Sequence, residues 1–103
     1  MTNVLVDKAI NLNNEGFLTD FSQWDEDVAR ELAIKEGVGE LTPKHWDVIH
    51  WLQDQHKQKI ALTIRKVGAS GIVDIKEFYA LFPGGPLKKA AKISGIPKPV
   101  GCI

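Results

Sequence analysis

Leu41-Thr42-Pro43-Lys44-His45-Trp46-Asp47-Val48-Ile49-His50-Trp51-Leu52 decides the fold class. Thr42 is a helix N-cap residue, and Pro43 sits in the first turn, where a missing N–H costs little. From there to about Lys59 the apolar positions recur at helical spacing. Ile49 and Leu52 face inward, with Trp46, Val48 and Trp51 around them. The reading is an amphipathic helix, and it needs other helices to cover it.

Both flanks supply them. Upstream, the spacing predicts a helix from about Gln23 to Glu36. Ser22 and Asp25 are placed as a short capping box, and Asp25, Glu26 and Asp27 put negative charge at the positive end of the helix dipole. Trp24, Val28 and Leu32, with Ala29 and Ala33, form its buried stripe, and Gly37 ends it as a C-cap. Downstream, Ile60 to Val67 reads as a third helix, with a bend or a merger with the second both open. Gly68-Ala69-Ser70-Gly71 breaks the run. Asp74 caps a fourth helix whose apolar face is Phe78, Leu81 and Phe82, and Pro83-Gly84-Gly85-Pro86 stops it. Leu87 to Ser94 is a last short basic helix.

The ends differ in kind. Val4-Leu5-Val6 and Ile10-Asn11-Leu12 read as strands of a small hairpin, followed by turn chemistry at Asn13-Asn14-Glu15-Gly16. A two-stranded hairpin is marginal alone and must lie on the helices. From Gly95 onward two prolines and two glycines deny helical continuation. The expected architecture is mainly α (α+β), a small helical bundle with an N-terminal β-hairpin and a flexible C-terminal arm. Its expected units are a compact domain over 1–94 and an arm over 95–103.

Composition bounds the function. With 103 residues, 44% hydrophobic and 25% charged, the chain has the balance of one soluble globular domain. No apolar run approaches the roughly 20 residues of a membrane helix. Met1 to Asp7 lacks the basic flank and apolar stretch of a signal peptide. One cysteine leaves no internal disulfide, and the expected compartment is the cytoplasm. The formal charge is zero but uneven. Residues 1–77 hold 9 basic and 13 acidic side chains, whereas residues 78–103 hold only Lys88, Lys89, Lys92 and Lys98. That basic stretch has three readings: a contact to an acidic partner, a contact to nucleic acid, or a contact to the acidic body of the same chain.

Cys102 is the candidate reactive group. It is the penultimate residue of Gly95-Ile96-Pro97-Lys98-Pro99-Val100-Gly101-Cys102-Ile103, outside any apolar periodic segment where a core cysteine would pack. A tethered thiol can attack a sulfane sulfur and carry it as a persulfide, or exchange with a disulfide. From position alone, an incidental cysteine is as good a reading. His45, His50 and His56 are five and six residues apart, the wrong spacing for one helix face, so no metal site is expected. His45 reads as a packing and hydrogen-bonding residue of the first turn. The three tryptophans read as core or interface anchors. Gly84-Gly85 lacks the lysine and hydroxyl residue of a phosphate loop.

The arm nevertheless carries a signature. Leu81-Phe82-Pro83-Gly84-Gly85-Pro86 and Lys88-Lys89-Ala90-Ala91-Lys92-Ile93-Ser94-Gly95-Ile96-Pro97-Lys98-Pro99-Val100-Gly101-Cys102-Ile103 closely resemble the C-terminus of the DsrC/TusE family of sulfur-carrier proteins. Glu15-Gly16-Phe17-Leu18, Trp24, Leu41-Thr42, His45-Trp46-Asp47-Val48-Ile49 and Ile64-Arg65 resemble landmarks of the same family in the same order. The resemblance implies a helical core, an N-terminal hairpin, a flexible arm, and a penultimate cysteine that receives and passes on sulfur. It assigns that role to Cys102. In the family's dissimilatory branch a second cysteine pairs with the first. Ala91 stands at that position here, so the chain is similar to the single-cysteine TusE branch. One departure is the stretch from Arg65 to Leu81, where Gly68-Ala69-Ser70-Gly71 replaces an expected longer basic loop.

The resemblance implies a carrier-type sulfurtransferase, not a stand-alone multi-turnover catalyst, with no cofactor beyond a transient persulfide on Cys102. Its donor would be a TusBCD- or DsrEFH-like complex. Its acceptor would be a tRNA thiolase making 2-thiouridine, or a sulfite reductase-like complex. Lys88, Lys89, Lys92, Lys98, Pro97, Pro99, Gly101 and Arg65 are the arm and docking candidates, and a monomer is expected. Two other classes compete. One is a docking subunit or regulator of a dissimilatory sulfite reductase-like complex; the other is a thiol redox sensor, which would need intermolecular pairing. Neutral charge and the absence of a basic recognition helix count against specific DNA binding.

Overall fold

Residues 11–98 are described in a computed structural model of the chain. Among them are a 3₁₀ turn, Phe21–Gln23, and five helices: α1 Glu26–Lys35, α2 Pro43–Lys57, α3 Ile64–Gly68, α4 Ile75–Leu81 and α5 Pro86–Ser94. Each start has a local cause. Asp25, Thr42, Thr63 and Asp74 each accept an amide of the first turn through the side chain. Gly85, at φ 101°, turns the chain so that Pro86 opens α5.

Three boundaries differ from the sequence reading. Ser22 does not cap α1: Asp20 takes both its amide (3.0 Å) and its hydroxyl (2.7 Å) and closes the 3₁₀ turn. The extended Trp24 then separates that turn from α1, which Asp25 caps through the Val28 amide at 2.9 Å. The expected helix at Ile60 starts only at Ile64. Lys59 enters the left-handed region at φ 60°, closing the end of α2, and Thr63 restarts the helix by accepting the Lys66 amide at 3.0 Å. The hairpin is the third. Val4-Leu5-Val6 lie outside the described residues, and among the described residues there is no strand, only an isolated antiparallel bridge from Leu12 to Leu18. The turn between them is held by Asn13, whose side chain accepts the amides of Glu15 and Phe17.

The last helix is the largest surprise. Read as a short basic terminal element, α5 lies at the centre and packs against α1, α2 and α4. Leu87, Ala90, Ala91 and Ile93 are buried with Phe17, Val28, Leu32, Ile49, Leu52, Phe78 and Phe82 in one core. α1 and α5, which pack together, each contribute two fully buried alanines to the core, Ala29 with Ala33 and Ala90 with Ala91. His45 locks α2 to α4. Its Nδ1 accepts the Thr42 amide at 3.0 Å, and its Nε2 donates to the Leu81 carbonyl at 2.8 Å. An amide can only donate and a carbonyl can only accept, so the ring carries its proton on Nε2.

Candidate functional site at the root of the arm

A helix leaves its last four carbonyls without partners of its own. In α5 these belong to Ala91, Lys92, Ile93 and Ser94, and every one is taken. The Ile96 amide donates to Ala91 at 3.2 Å and the Gly95 amide to Lys92 at 3.1 Å, the paired bonds of a Schellman motif. The Trp24 indole Nε1 donates to Ile93 O, and Gln53 Nε2 donates to Ser94 O, both at 2.8 Å. The Ser94 hydroxyl folds back onto Ala90 O at 2.7 Å.

Gly95 is required twice at this junction. Its φ of 75° is left-handed, and a Cβ there would stand 2.6 Å from Trp24 Cδ1 and 2.9 Å from Cγ. The indole thus packs closely on the backbone where the helix stops. Phe21 stacks with it, ring centroids 6.0 Å apart.

Gly95 and Ile96, the first two residues after α5, are buried, Ile96 being 1% exposed. Pro97 and Lys98 are the first exposed residues. Lys98 Nζ donates to Glu15 at 3.0 Å, across 83 positions of sequence. That hydrogen bond first, and the ammonium charge second, hold the Glu15 carboxyl below its ordinary range. Pro99, Gly101 and Cys102 lie outside the described residues.

The four C-terminal lysines have different surroundings. Lys89 donates to the Glu36 backbone carbonyl at 2.7 Å, and Lys92 pairs with the Glu36 carboxylate at 3.4 Å while lying 5.6 Å from the Phe17 ring centroid. Both tie α5 to the end of α1, where cations suit the helix dipole, and neither is a free surface charge. Lys98 holds Glu15. Lys88 is half-buried and forms no hydrogen bond or ion pair with a described residue. Arg65 is exposed on α3 and contacts no described carboxylate. Sequence reasoning overlooked Gln53 and Glu36. A glutamine next to Leu52 and four residues after Ile49 is a polar group on an apolar stripe, which was the available signal.

A profile of the family described as "DsrC like protein" matches residues 4–103, a span that includes Cys102. The chain belongs to the DsrC-like family. This DsrC-like protein is 36% identical over 97 residues to the gamma subunit of dissimilatory-type sulfite reductase of Nitratidesulfovibrio vulgaris (strain Hildenborough), covering 93% of this chain and 92% of the relative. It is also 36% identical to the sulfurtransferase TusE of Escherichia coli (strain K12), covering 93% and 94%. That second alignment spans 105 positions, more than the 103 residues here, so it opens gaps in this chain. Among solved structures, a chain of dissimilatory sulfite reductase I (DsrI) superposes with a TM-score of 0.84 at 35% identity over 96% of both chains. The oxidized gamma subunit (DsrC) from Archaeoglobus fulgidus gives 0.77 at 36% identity, covering 93% and 94%.

Proposed function

We propose that this DsrC-like protein is a sulfur-relay carrier whose working group is the Cys102 thiol. The observation that supports this most directly is the closed end of α5. Trp24, Gln53 and Gly95 finish the helix and hand the chain to the surface at Pro97, with the family match continuing through the cysteine. Cys102 stands six positions after Ile96. At about 3.3–3.6 Å per residue, the thiol can reach up to about 20 Å from the anchor. Pro97 and Pro99 restrict that tether and reduce the entropy lost on entering a partner.

The chemistry is redox-neutral. The Cys102 thiolate attacks the outer sulfur of a donor cysteine persulfide; the donor S–S bond breaks, and its cysteine leaves as a thiolate. Cys102 then carries the added sulfur as a persulfide. An acceptor thiolate attacks that outer sulfur, forming a new persulfide and releasing Cys102. No cofactor takes part in either step. The carrier turns over only with both partners, a TusBCD- or DsrEFH-like donor and, on the main reading, an acceptor leading to tRNA 2-thiouridine in the cytoplasm. Ala91 occupies a fully buried helix position, so the chain offers no second thiol there to trap the sulfur within itself.

A second reading is a subunit that docks on a sulfite reductase-like complex. The shorter alignment with the gamma subunit, without the extra positions of the TusE comparison, favours it. Intact mass after exposure to a persulfide donor tests the carrier. A gain of about 32 Da per sulfur, reversed by reductant and absent in Cys102→Ser, is the expected result. An accessible thiol that takes up no sulfur would remove the relay and leave the docking subunit.

A further inference from the structure

We propose that the groove beside the arm root docks an extended, acidic segment of a partner polypeptide. The groove, about 390 Å³, lies between the non-helical run Lys59–Leu62 and the outgoing residues Ile96–Lys98, with His56 at its margin. Both walls are chain outside the helices. The amides of Ala61, Leu62 and Lys98 donate to no described residue. Amides without a partner in a non-helical run are available to a partner's backbone. The apolar wall comes from Ile60, Leu62 and Ile96.

Charge fixes the sign of the occupant. Lys59, Lys98 and His56 line the groove, and among the described residues no carboxylate does. Lys66 sits at its edge, its Nζ donating to the Ala61 carbonyl at 2.8 Å. Glu15 occupies Lys98 from the side in an exposed pair that an incoming carboxylate can exchange.

Lys59 is the residue that needs explaining. α1 and α5 end in the same paired-amide motif with Gly37 and Gly95 at the left-handed position, at φ 78° and 75°. α2 ends the same way, the amides of Lys59 and Ile60 donating to His56 and Gln55, yet Lys59 stands where glycine belongs, at φ 60°. A non-glycine residue there is disfavoured. Its ammonium is the one thing glycine could not supply to the groove. The identity of the partner as the protein exchanging sulfur with Cys102 rests on the carrier reading; the groove's preference for an acidic strand does not.

The test uses the full chain, ¹⁵N-labelled, titrated with a capped synthetic peptide of alternating valine and glutamate. Amide shifts should concentrate at Lys59–Leu62, Ile96 and Lys98. Lys59→Gly should weaken binding about two- to fivefold while raising Tm by up to about 4 °C, a gain in stability with a loss in docking. Equal affinity in Lys59→Gly, or no response at these amides, would overturn the proposal. So would a stronger response to an oligouridylate, shifts that follow protein concentration alone, or short-range NOEs in the free protein from the Val100 or Ile103 methyls to the Ala61 and Leu62 amides. The last would show the groove filled by the chain's own tail. Sulfur loading of Cys102, read by mass, stays a separate result, so failure of the carrier reading and failure of the groove are told apart.

Discussion

Replacing Gly95 by alanine asks how firmly the arm root is built. The added Cβ meets two separate penalties. The left-handed backbone at φ 75° costs about 1–2 kcal/mol for a residue with a side chain. The Cβ also lands 2.6, 2.9 and 3.0 Å from three Trp24 carbons, so the indole must retreat. Retreat strains or breaks its 2.8 Å bond to Ile93 O, adding about 1–3 kcal/mol for a buried carbonyl left without its donor. The sum is about 2–5 kcal/mol, a Tm loss of about 10–20 °C in a domain of this size. Gly39→Ala is the matched control, because φ is 86° there but no atom lies within 4 Å of the added carbon. It should incur the backbone penalty alone. Urea denaturation followed by tryptophan fluorescence gives both numbers. If Gly95→Ala costs no more than Gly39→Ala, the indole is not packed on the helix end as described, and the account of the arm root fails.

Trp24→Phe keeps a ring on Gly95 but removes the donor to Ile93 O, and should cost about 1–3 kcal/mol in urea denaturation. Gln53→Leu leaves the Ser94 carbonyl unpaired in a buried place and should cost a similar amount, whereas Gln53→Glu adds an unpaired charge there and should cost more. The Glu15–Lys98 pair makes a pH prediction. The Glu15 carboxyl titrates below 4.5 when folded, so the pair's contribution is complete above that value and is lost as pH falls through the lowered one. Carboxyl NMR titration should show Glu15 moving up towards 4.5 in Lys98→Ala, and an unchanged midpoint would mean that the pair does not form in solution. Glu36→Gln loosens Lys92 more than Lys89, which holds the backbone carbonyl; a modest loss of stability is expected, read by thermal melting.

The helices were legible wherever local chemistry decides. Thr42-Pro43 and Asp74 mark starts that depend only on a side chain and its nearest amides, and these agree with the structure, whereas Pro86, read as part of a stop, opens α5. Errors fell where one local option beat another of similar strength, as when Asp20 took the amide and hydroxyl of Ser22. Lys59 was missed because nothing in the side chain announces a left-handed backbone. The central place of α5 was hidden by its three lysines, whose count suggests a surface helix. Two of them, Lys89 and Lys92, run back to Glu36, and their aliphatic stems cover the helix they belong to. Pairings between residues far apart, such as Trp24 with Ile93 and Gln53 with Ser94, have no signature in spacing. The resemblance that identified the family came from the arm motif, which local physics leaves nearly unconstrained.

The carbonyls that end α5 find all their donors among Trp24, Gln53, Gly95 and Ile96, so the helix end asks for no hydrogen bond from the chain after Lys98. The local concentration of a tethered group falls roughly as the −3/2 power of tether length once the span is exceeded. On the carrier reading, residues added after Lys98 would therefore tune how often the thiol meets a partner's sulfur without touching the bonds that close α5.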